Sequence, residues 1–197
     1  MTKLSELREE IAGCRRCELY REATQAVTSV GNTRARMMLV GEQPGDREDV
    51  EGEPFVGPAG RVLDAALRSA GIERSDAYLT NAVKHFRFER RGKRRIHRKP
   101  AVEHIEACHP WLEAEVAIVR PRVVVCLGAT AGRAVLGRPV RIGEERGGLI
   151  EDVDETGGAA VVITTHPSSL LRLRDRGDYD AELERLVTDL RLAASAL

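Results

Sequence analysis

The sequence predicts an α/β sandwich of three layers around a central, mostly parallel sheet of four strands. Short apolar runs rich in β-branched residues alternate with longer segments whose apolar residues repeat at helical spacing. Most of the apolar runs end in a loop of glycine and polar residues. This alternation favours parallel strands that are covered by helices on both faces, with polar loops gathered at one edge of the sheet.

The composition is that of an ordinary globular chain. It has 197 residues, and its 31 Lys or Arg balance 31 Asp or Glu, so the formal net charge is zero. This length suits one domain, which we expect to span residues 1–197. The first residues, MTKLSELREE, carry charge from the third position, unlike a signal peptide, and no apolar run approaches a membrane span. We expect a cytoplasmic, monomeric protein without membrane contact.

The N-terminal segment combines a helix with a pair of cysteines. Apolar residues at helical spacing predict a short amphipathic helix over residues 3–12. Cys14 and Cys17 follow as a CxxC motif, which by itself fits zinc, an iron–sulfur cluster or redox exchange. A zinc ribbon requires a second CxxC, and a redox motif usually follows a strand. An iron–sulfur cluster with two distant ligands is therefore the preferred interpretation.

Four apolar runs predict the strands of the sheet. They are Arg36–Val40, Ala77–Val83, Arg122–Leu127 and Ala160–Thr164. The polar segments that follow them begin GEQPG, KHF, GATA and HPSS. Because the carboxyl ends of parallel strands meet at one edge of a sheet, these segments are expected to converge on a single site.

Helices are predicted between the strands. Pro58 suits the first turn of a helix that stops at Gly71. A long helix begins at Pro100 and ends before Pro121. The remaining predicted segments are a short helix after GATA, a loop with weak strand character over residues 137–158, and a closing helix around residues 183–190.

Positive charge is concentrated between Lys84 and Lys99. This basic stretch holds nine Lys or Arg against one acid, Glu89, with Phe86 and Phe88 interleaved. Basic residues mixed with aromatic ones are typical of a surface that binds a polyanion. Charge alone also fits a disordered basic loop or a solvated face. The polar loops expected beside the stretch favour the polyanion.

Several motifs resemble the uracil-DNA glycosylase superfamily, in its iron–sulfur branch that includes family 4. GEQPGDREDVEGEPFVGPAGRVLD, LTNAVKHF, CHPWL, VVVCLGATA and HPSSLLR occur in the family's order and span nearly the whole chain. GKRRIH is similar to the loop insert of the UdgX-type members. The resemblance implies a bacterial protein that acts on uracil-containing DNA, with single strands preferred. The base would be flipped into a pocket, because its glycosidic bond is inaccessible in the stack.

The resemblance also implies which residues bind and release the base. Phe55 would stack on it, and the amide of Asn81 would pair with the uracil edge, since an amide offers both a donor and an acceptor. Gly41 and Gln43 would position the base through backbone groups. His166 would donate to the negative charge that develops on the departing base.

In UdgX-type proteins the loop histidine captures the sugar, and the matching residue here is His97. A neutral imidazole is a competent nucleophile, so the product would be a covalent adduct between His97 and C1′, and each molecule would act once. Glu42 would stabilise the cationic sugar or orient a nucleophile. A conventional hydrolytic family 4 enzyme and a nucleic-acid-binding protein without catalysis remain alternatives. The DNA contacts implied are Lys93, Arg94, Arg95, Ser168 and Ser169.

For a [4Fe–4S] cluster, the resemblance matches Cys14, Cys17 and Cys108 to three ligand positions. His85 stands where family 4 has a fourth cysteine. Imidazole ligates iron–sulfur clusters in other proteins, so a site of three cysteines and one histidine is chemically sound. Cys126 lies inside an apolar run and is expected to be a buried thiol.

Overall fold

A computed structural model describes residues 3–31 and 33–197, so residues 1, 2 and 32 of the expected domain lie outside this description. The chain alternates strands with helices, as the sequence predicts. The strands in chain order are Met37–Gly41 (β1), Ala77–Asn81 (β2), Phe88–Arg91 (β3), Arg94–His97 (β4), Val123–Leu127 (β5), Leu149–Ile150 (β6) and Ala160–Thr164 (β7). The helices are Lys3–Ala12 (α1), Asp46–Glu51 (α2), Pro58–Ala70 (α3), Val102–Val119 (α4), Ala129–Leu136 (α5), Ile142–Glu145 (α6) and Arg176–Ser195 (α7).

The central sheet has the strand order β2–β1–β5–β7–β6. Its first four strands run parallel, which confirms the predicted mostly parallel sheet. The sequence predicts four strands and the structure has five, so that number is corrected. The additional strand, β6, has two residues and pairs antiparallel with β7. It lies within residues 137–158, where the sequence indicates a loop with weak strand character, but two residues are too few for a pattern to define a strand.

Alternate residues of the central strands enter two cores, because successive strand side chains point to opposite faces. Leu39 of β1 belongs to a core that includes Leu63 of α3 and Leu190 of α7. Val40 belongs to the other core, which includes Leu112 of α4. Gly71 ends α3 with a left-handed φ of 76°, the predicted stop signal. Across residues 3–31 and 33–197, no helix has both the length and the hydropathy needed to span a bilayer.

The basic stretch contains an antiparallel hairpin, β3–β4, that stands apart from the central sheet. Its two-residue turn includes Gly92, whose φ of 60° favours glycine. Phe86 and Phe88 are buried, and their ring centroids lie 5.1 Å apart. The register places Phe88 opposite His97, so the aromatic residues anchor the hairpin at the end that carries this histidine.

Candidate active site

A cavity of about 640 Å³ lies at the carboxyl ends of the central strands. It collects side chains from β2, from the loops after β1 and β7, and from the end of β4. The sequence-predicted residues that line it are Glu42, Gln43, Phe55, Asn81, His97, His166 and Ser168. The convergence of the polar loops at one edge is therefore observed for three of the four segments that the sequence pointed to.

Phe55 and Asn81, which both line the cavity, lie directly against Gly41. A Cβ on Gly41 would overlap Oδ1 of Asn81 and lie 2.6 Å from Cζ of Phe55. Phe55 has a left-handed φ of 60°, which is unusual for a residue with a side chain. Gly60 permits this conformation, because any Cβ there would overlap the Phe55 carbonyl. An aromatic ring and an amide held this close together can bind a flat, polar ring by stacking and hydrogen bonding.

His166 presents a neutral imidazole to the cavity. Its Nδ1 accepts a hydrogen bond of 3.1 Å from the backbone N–H of Ser168, so Nε2 carries the proton. Burial lowers the pKa of His166 to about 4, the negative charge of Glu42 partly opposes this shift, and His97 and Arg172 add to it. A fixed neutral N–H of this kind can stabilise an anion that forms beside it.

The depressed pKa of His166 predicts a loss of stability in acid. The unfolded chain protonates this histidine near pH 6.5, and the folded protein does so only near pH 4. The unfolded state therefore binds more protons between these values, so the free energy of unfolding should fall by about 3 kcal/mol as pH drops through this window. Urea denaturation at several pH values measures it. His166→Gln should flatten the dependence, and an unchanged slope in that variant would contradict the assignment.

Glu42 lies between a histidine and a threonine. Its Oε1 is 3.4 Å from Nε2 of His97, and its Oε2 accepts a hydrogen bond from the hydroxyl of Thr130. Burial lowers the pKa of His97, the charge of Glu42 opposes that shift, and Arg172 adds to it. His97 is thus a neutral, half-exposed imidazole beside a carboxylate, which is an arrangement suited to a nucleophile and its base.

The side chain of Gln43 joins the two ends of the hairpin. Its amide accepts a hydrogen bond from the Arg87 N–H (3.1 Å) and donates to the carbonyls of Arg87 (3.1 Å) and Arg98 (3.2 Å). Arg98 directly follows His97, so this clamp fixes the strand end that carries the histidine. The sequence suggested a backbone role for Gln43, and the structure gives its side chain a second one.

Residues 28–191 match the family model described as "Uracil DNA glycosylase superfamily". That span covers most of the chain. The chain belongs to the uracil-DNA glycosylase superfamily. It is similar to the type-4 uracil-DNA glycosylase of Archaeoglobus fulgidus, with 34% identity over 192 residues, 94% of this chain and 92% of the relative. The type-4 uracil-DNA glycosylase of Thermotoga maritima is 40% identical over 182 residues, 92% of this chain and 87% of the relative.

In this superfamily member, the basic residues expected to contact DNA have different surroundings. Lys93 and Arg94 are exposed at the hairpin turn. Arg95 instead pairs with Asp46 (2.6 Å) and Asp49 (2.5 Å), so its guanidinium ties the hairpin to α2. The sequence suggested phosphate contact for Arg95, and nothing in its local composition revealed these distant carboxylates.

The two serines of the HPSS segment also differ from each other. Ser168 lines the cavity and bonds His166. Ser169 makes its hydrogen bonds within its own loop. Its hydroxyl lies 2.9 Å from that of Thr165 and donates to the His166 carbonyl at 2.8 Å. Ser168 therefore orients the His166 ring, whereas Ser169 stabilises the turn that carries His166.

The Gln43 clamp yields a prediction for local stability. Gln43→Ala should raise amide hydrogen exchange across residues 87–98 by about tenfold or more. Three hydrogen bonds of roughly 1 kcal/mol each are lost there. Thr188→Val is the control, since the exposed Thr188 hydroxyl bonds the Glu184 carbonyl in α7 and does not contact the hairpin. Equal protection of the hairpin in both variants would show that the clamp does not hold it.

The cysteine region fits a metal-centred group. The sulfur of Cys108 accepts a hydrogen bond from the backbone N–H of Lys84, and burial raises the pKa of this thiol to about 11, with Cys17 and Cys14 close enough to contribute. Cys14 accepts a hydrogen bond of 3.2 Å from the indole of Trp111. Next to Lys84, Nδ1 of His85 is buried and, within the described residues, has no hydrogen-bond partner.

An unpartnered buried nitrogen is costly, and a bound metal would satisfy it. Burial also lowers the pKa of His85, which keeps the imidazole neutral and able to act as a ligand. Cys126 is fully buried within β5, which confirms the prediction of a core thiol.

Two further residues of the site, Thr130 and Arg172, were not identified from the sequence. Thr130 lies within the GATA segment and bonds Glu42, but a threonine at a helix start has an ordinary structural explanation. Arg172 lines the cavity and its charge lowers the pKa of both histidines. Arg172 ends the HPSSLLR motif, and this position could have identified it from the sequence.

Proposed function

We propose that this protein is a uracil-DNA glycosylase that releases uracil from DNA and then bonds to the abasic sugar through His97. Membership of the superfamily and the type-4 relatives support the excision. The observation that carries the capture step is the half-exposed His97 imidazole, which lines the same cavity as His166 and lies 3.4 Å from Glu42. Single-stranded DNA is the expected preferred substrate, and the protein is expected to act as a monomer.

In the excision step, the flipped uracil would enter the cavity that Phe55 and Asn81 line. The ring of Phe55 would stack on the base, and the Asn81 amide would meet its polar edge. As the bond between C1′ and the base nitrogen breaks, its electron pair leaves with uracil and the sugar becomes a cation. The Nε2–H of His166 would donate to the uracil anion, and Glu42 would stabilise the sugar cation electrostatically.

In the capture step, an unprotonated nitrogen of the His97 ring would form a bond to C1′. The ring then carries a positive charge, which it relieves by releasing its N–H proton to Glu42 or to water. No oxidant or reductant is involved. The clamp formed by Gln43 would keep the ring in place, so that imidazole reaches C1′ before water does.

A [4Fe–4S] cluster would be held by Cys14, Cys17, Cys108 and His85. Bound there, it would supply a covalent link between distant segments rather than a reacting group. Contacts of two of these cysteines already connect the start of the chain, the loop after β2 and helix α4: Trp111 bonds Cys14, and the backbone N–H of Lys84 bonds Cys108. Through Lys84, which precedes His85, this region also contacts the backbone of Asn81.

The proposal is tested by incubating the protein with a uracil-containing single-stranded oligonucleotide and separating the products on a denaturing gel. A species that survives denaturation, with no more than one adduct per protein molecule, is expected. The same oligonucleotide with thymine should give none. His97→Ser should form no adduct while still releasing uracil, because the pocket that binds the base remains.

A second candidate is a conventional hydrolytic enzyme, favoured by the type-4 names of the relatives. Glu42 would then orient water instead of a histidine. This candidate predicts more than one uracil released per protein molecule and equal activity in His97→Ser. A protein that only binds nucleic acid would release no uracil and would not distinguish uracil-containing from normal DNA.

A further inference from the structure

The carboxylate of Glu42 is held from two sides by residues far apart in the chain. Thr130, the second residue of α5, is 3% exposed, and its hydroxyl donates to Oε2 of Glu42. Oε1 of the same carboxylate faces His97. Within the part of the chain that the structure describes, Thr130 is the only residue whose hydroxyl or amide bonds this side chain.

The loop that carries Thr130 also packs against His166. Gly128, two residues earlier, has a φ of 95°, and a Cβ there would lie 3.1 Å from Cβ of His166. The Thr130 hydroxyl is therefore fixed relative to both groups that act on the substrate. Because the Glu42 side chain is 21% exposed, it would be free to turn toward water if this hydrogen bond were absent.

We propose that Thr130 is a positioning residue that orients Glu42 toward His97 and so favours capture of the abasic sugar by imidazole over attack by water. This inference rests on the proposed function. The Thr130 proton stays on its hydroxyl throughout. The new bond joins a His97 nitrogen to C1′, uracil keeps the electron pair of the broken bond, and the imidazole proton leaves to Oε1 of Glu42 or to water.

The test compares Thr130→Val, which keeps the shape and removes the donor, with Thr130→Ser, which keeps the donor. With protein in excess over a uracil oligonucleotide, two quantities are measured: the rate of adduct formation and the fraction of excised sites that end as adduct. Thr130→Val should slow capture by roughly tenfold or more and lower that fraction. Thr130→Ser should remain within about threefold of the wild type. A purely structural role would not alter the partition between adduct and free abasic site.

Two controls separate this effect from others. Thr188→Val removes an exposed hydroxyl that bonds the Glu184 carbonyl far from the site, and should behave as wild type. In a Glu42→Gln background, Thr130→Val should add no further loss, because both changes act through one carboxylate. Thermal unfolding of each variant shows whether it is folded, and Thr130→Ser keeps the test valid if Thr130→Val is not.

The outcomes are distinguishable. If the wild type forms no adduct, the proposed capture fails and this inference fails with it. If the wild type forms the adduct, and folded Thr130→Val matches it in rate and partition, only the role of Thr130 is overturned. A Thr130→Val loss that persists in full in the Glu42→Gln background also overturns it, since the effect would not pass through Glu42.

Discussion

Replacing Lys84 with methionine is expected to lower the free energy of unfolding by about 3–5 kcal/mol. The Lys84 ammonium is fully buried and donates to three acceptors: Oε2 of Glu115 (2.8 Å), the Thr80 hydroxyl (2.7 Å) and the Asn81 carbonyl (2.9 Å). Its removal leaves the equally buried Glu115 carboxylate without a cation. A loss of this size is a large part of the stability of a typical domain.

Urea denaturation measures this loss. Lys99→Met is the control, since Lys99 lies in the same basic stretch and is exposed. The double variant Lys84→Met/Glu115→Met should recover much of the stability, because removing both charges avoids an unpaired one. A loss below about 1 kcal/mol in the single variant would show that the pair does not stabilise the fold.

Gly41→Ala is expected to slow uracil release by about 100-fold or more. A methyl group at this position would overlap the Asn81 amide and press on the Phe55 ring, so both groups proposed to hold the base must move. A displacement of about 1 Å at a reacting centre can cost two orders of magnitude in rate. Single-turnover release of uracil from a labelled oligonucleotide measures this effect.

Gly143→Ala is the matched control for this change. Gly143 is an exposed helical residue, and an added Cβ there has no neighbour within 4 Å. Gly41→Ala should retain the cooperative unfolding of the wild type, with a modest loss of about 1–3 kcal/mol from overpacking. Release of uracil at the wild-type rate would mean that Phe55 and Asn81 do not bind the base as proposed.

The sequence predicts the sheet well because its signals are local. The run from Val123 to Leu127 is continuous in apolar residues, and Pro58 and Gly71 mark the two ends of α3. The hairpin was not predicted as strands, because Lys and Arg occupy so many of its positions that apolar and polar residues do not alternate as they do in a half-buried strand. Helix α2 was not predicted either, because its acidic sequence has no apolar face to mark it.

The residues of the site could be predicted only where a family motif carries them. Motif positions identified Glu42, Asn81 and His166 as cavity residues, and the structure brings them together. The contacts of Thr130 and Arg95 join residues 88 and 46–49 positions away along the chain, respectively, so no local pattern reports them. Such contacts follow from the fold rather than from composition.

The ion pairs of the hairpin, one internal and one to α2, limit how strongly salt should weaken the DNA contacts expected of it. Arg91 and Arg95 already face carboxylates of their own chain. Counterion release depends on phosphates newly neutralised, with a slope of about −0.7 per phosphate for single strands. The hairpin cations left for this are Arg90, Lys93 and Arg94. They should contribute about −2 to the slope of log binding constant against log salt concentration. This is a much weaker dependence than the number of basic residues in the segment suggests.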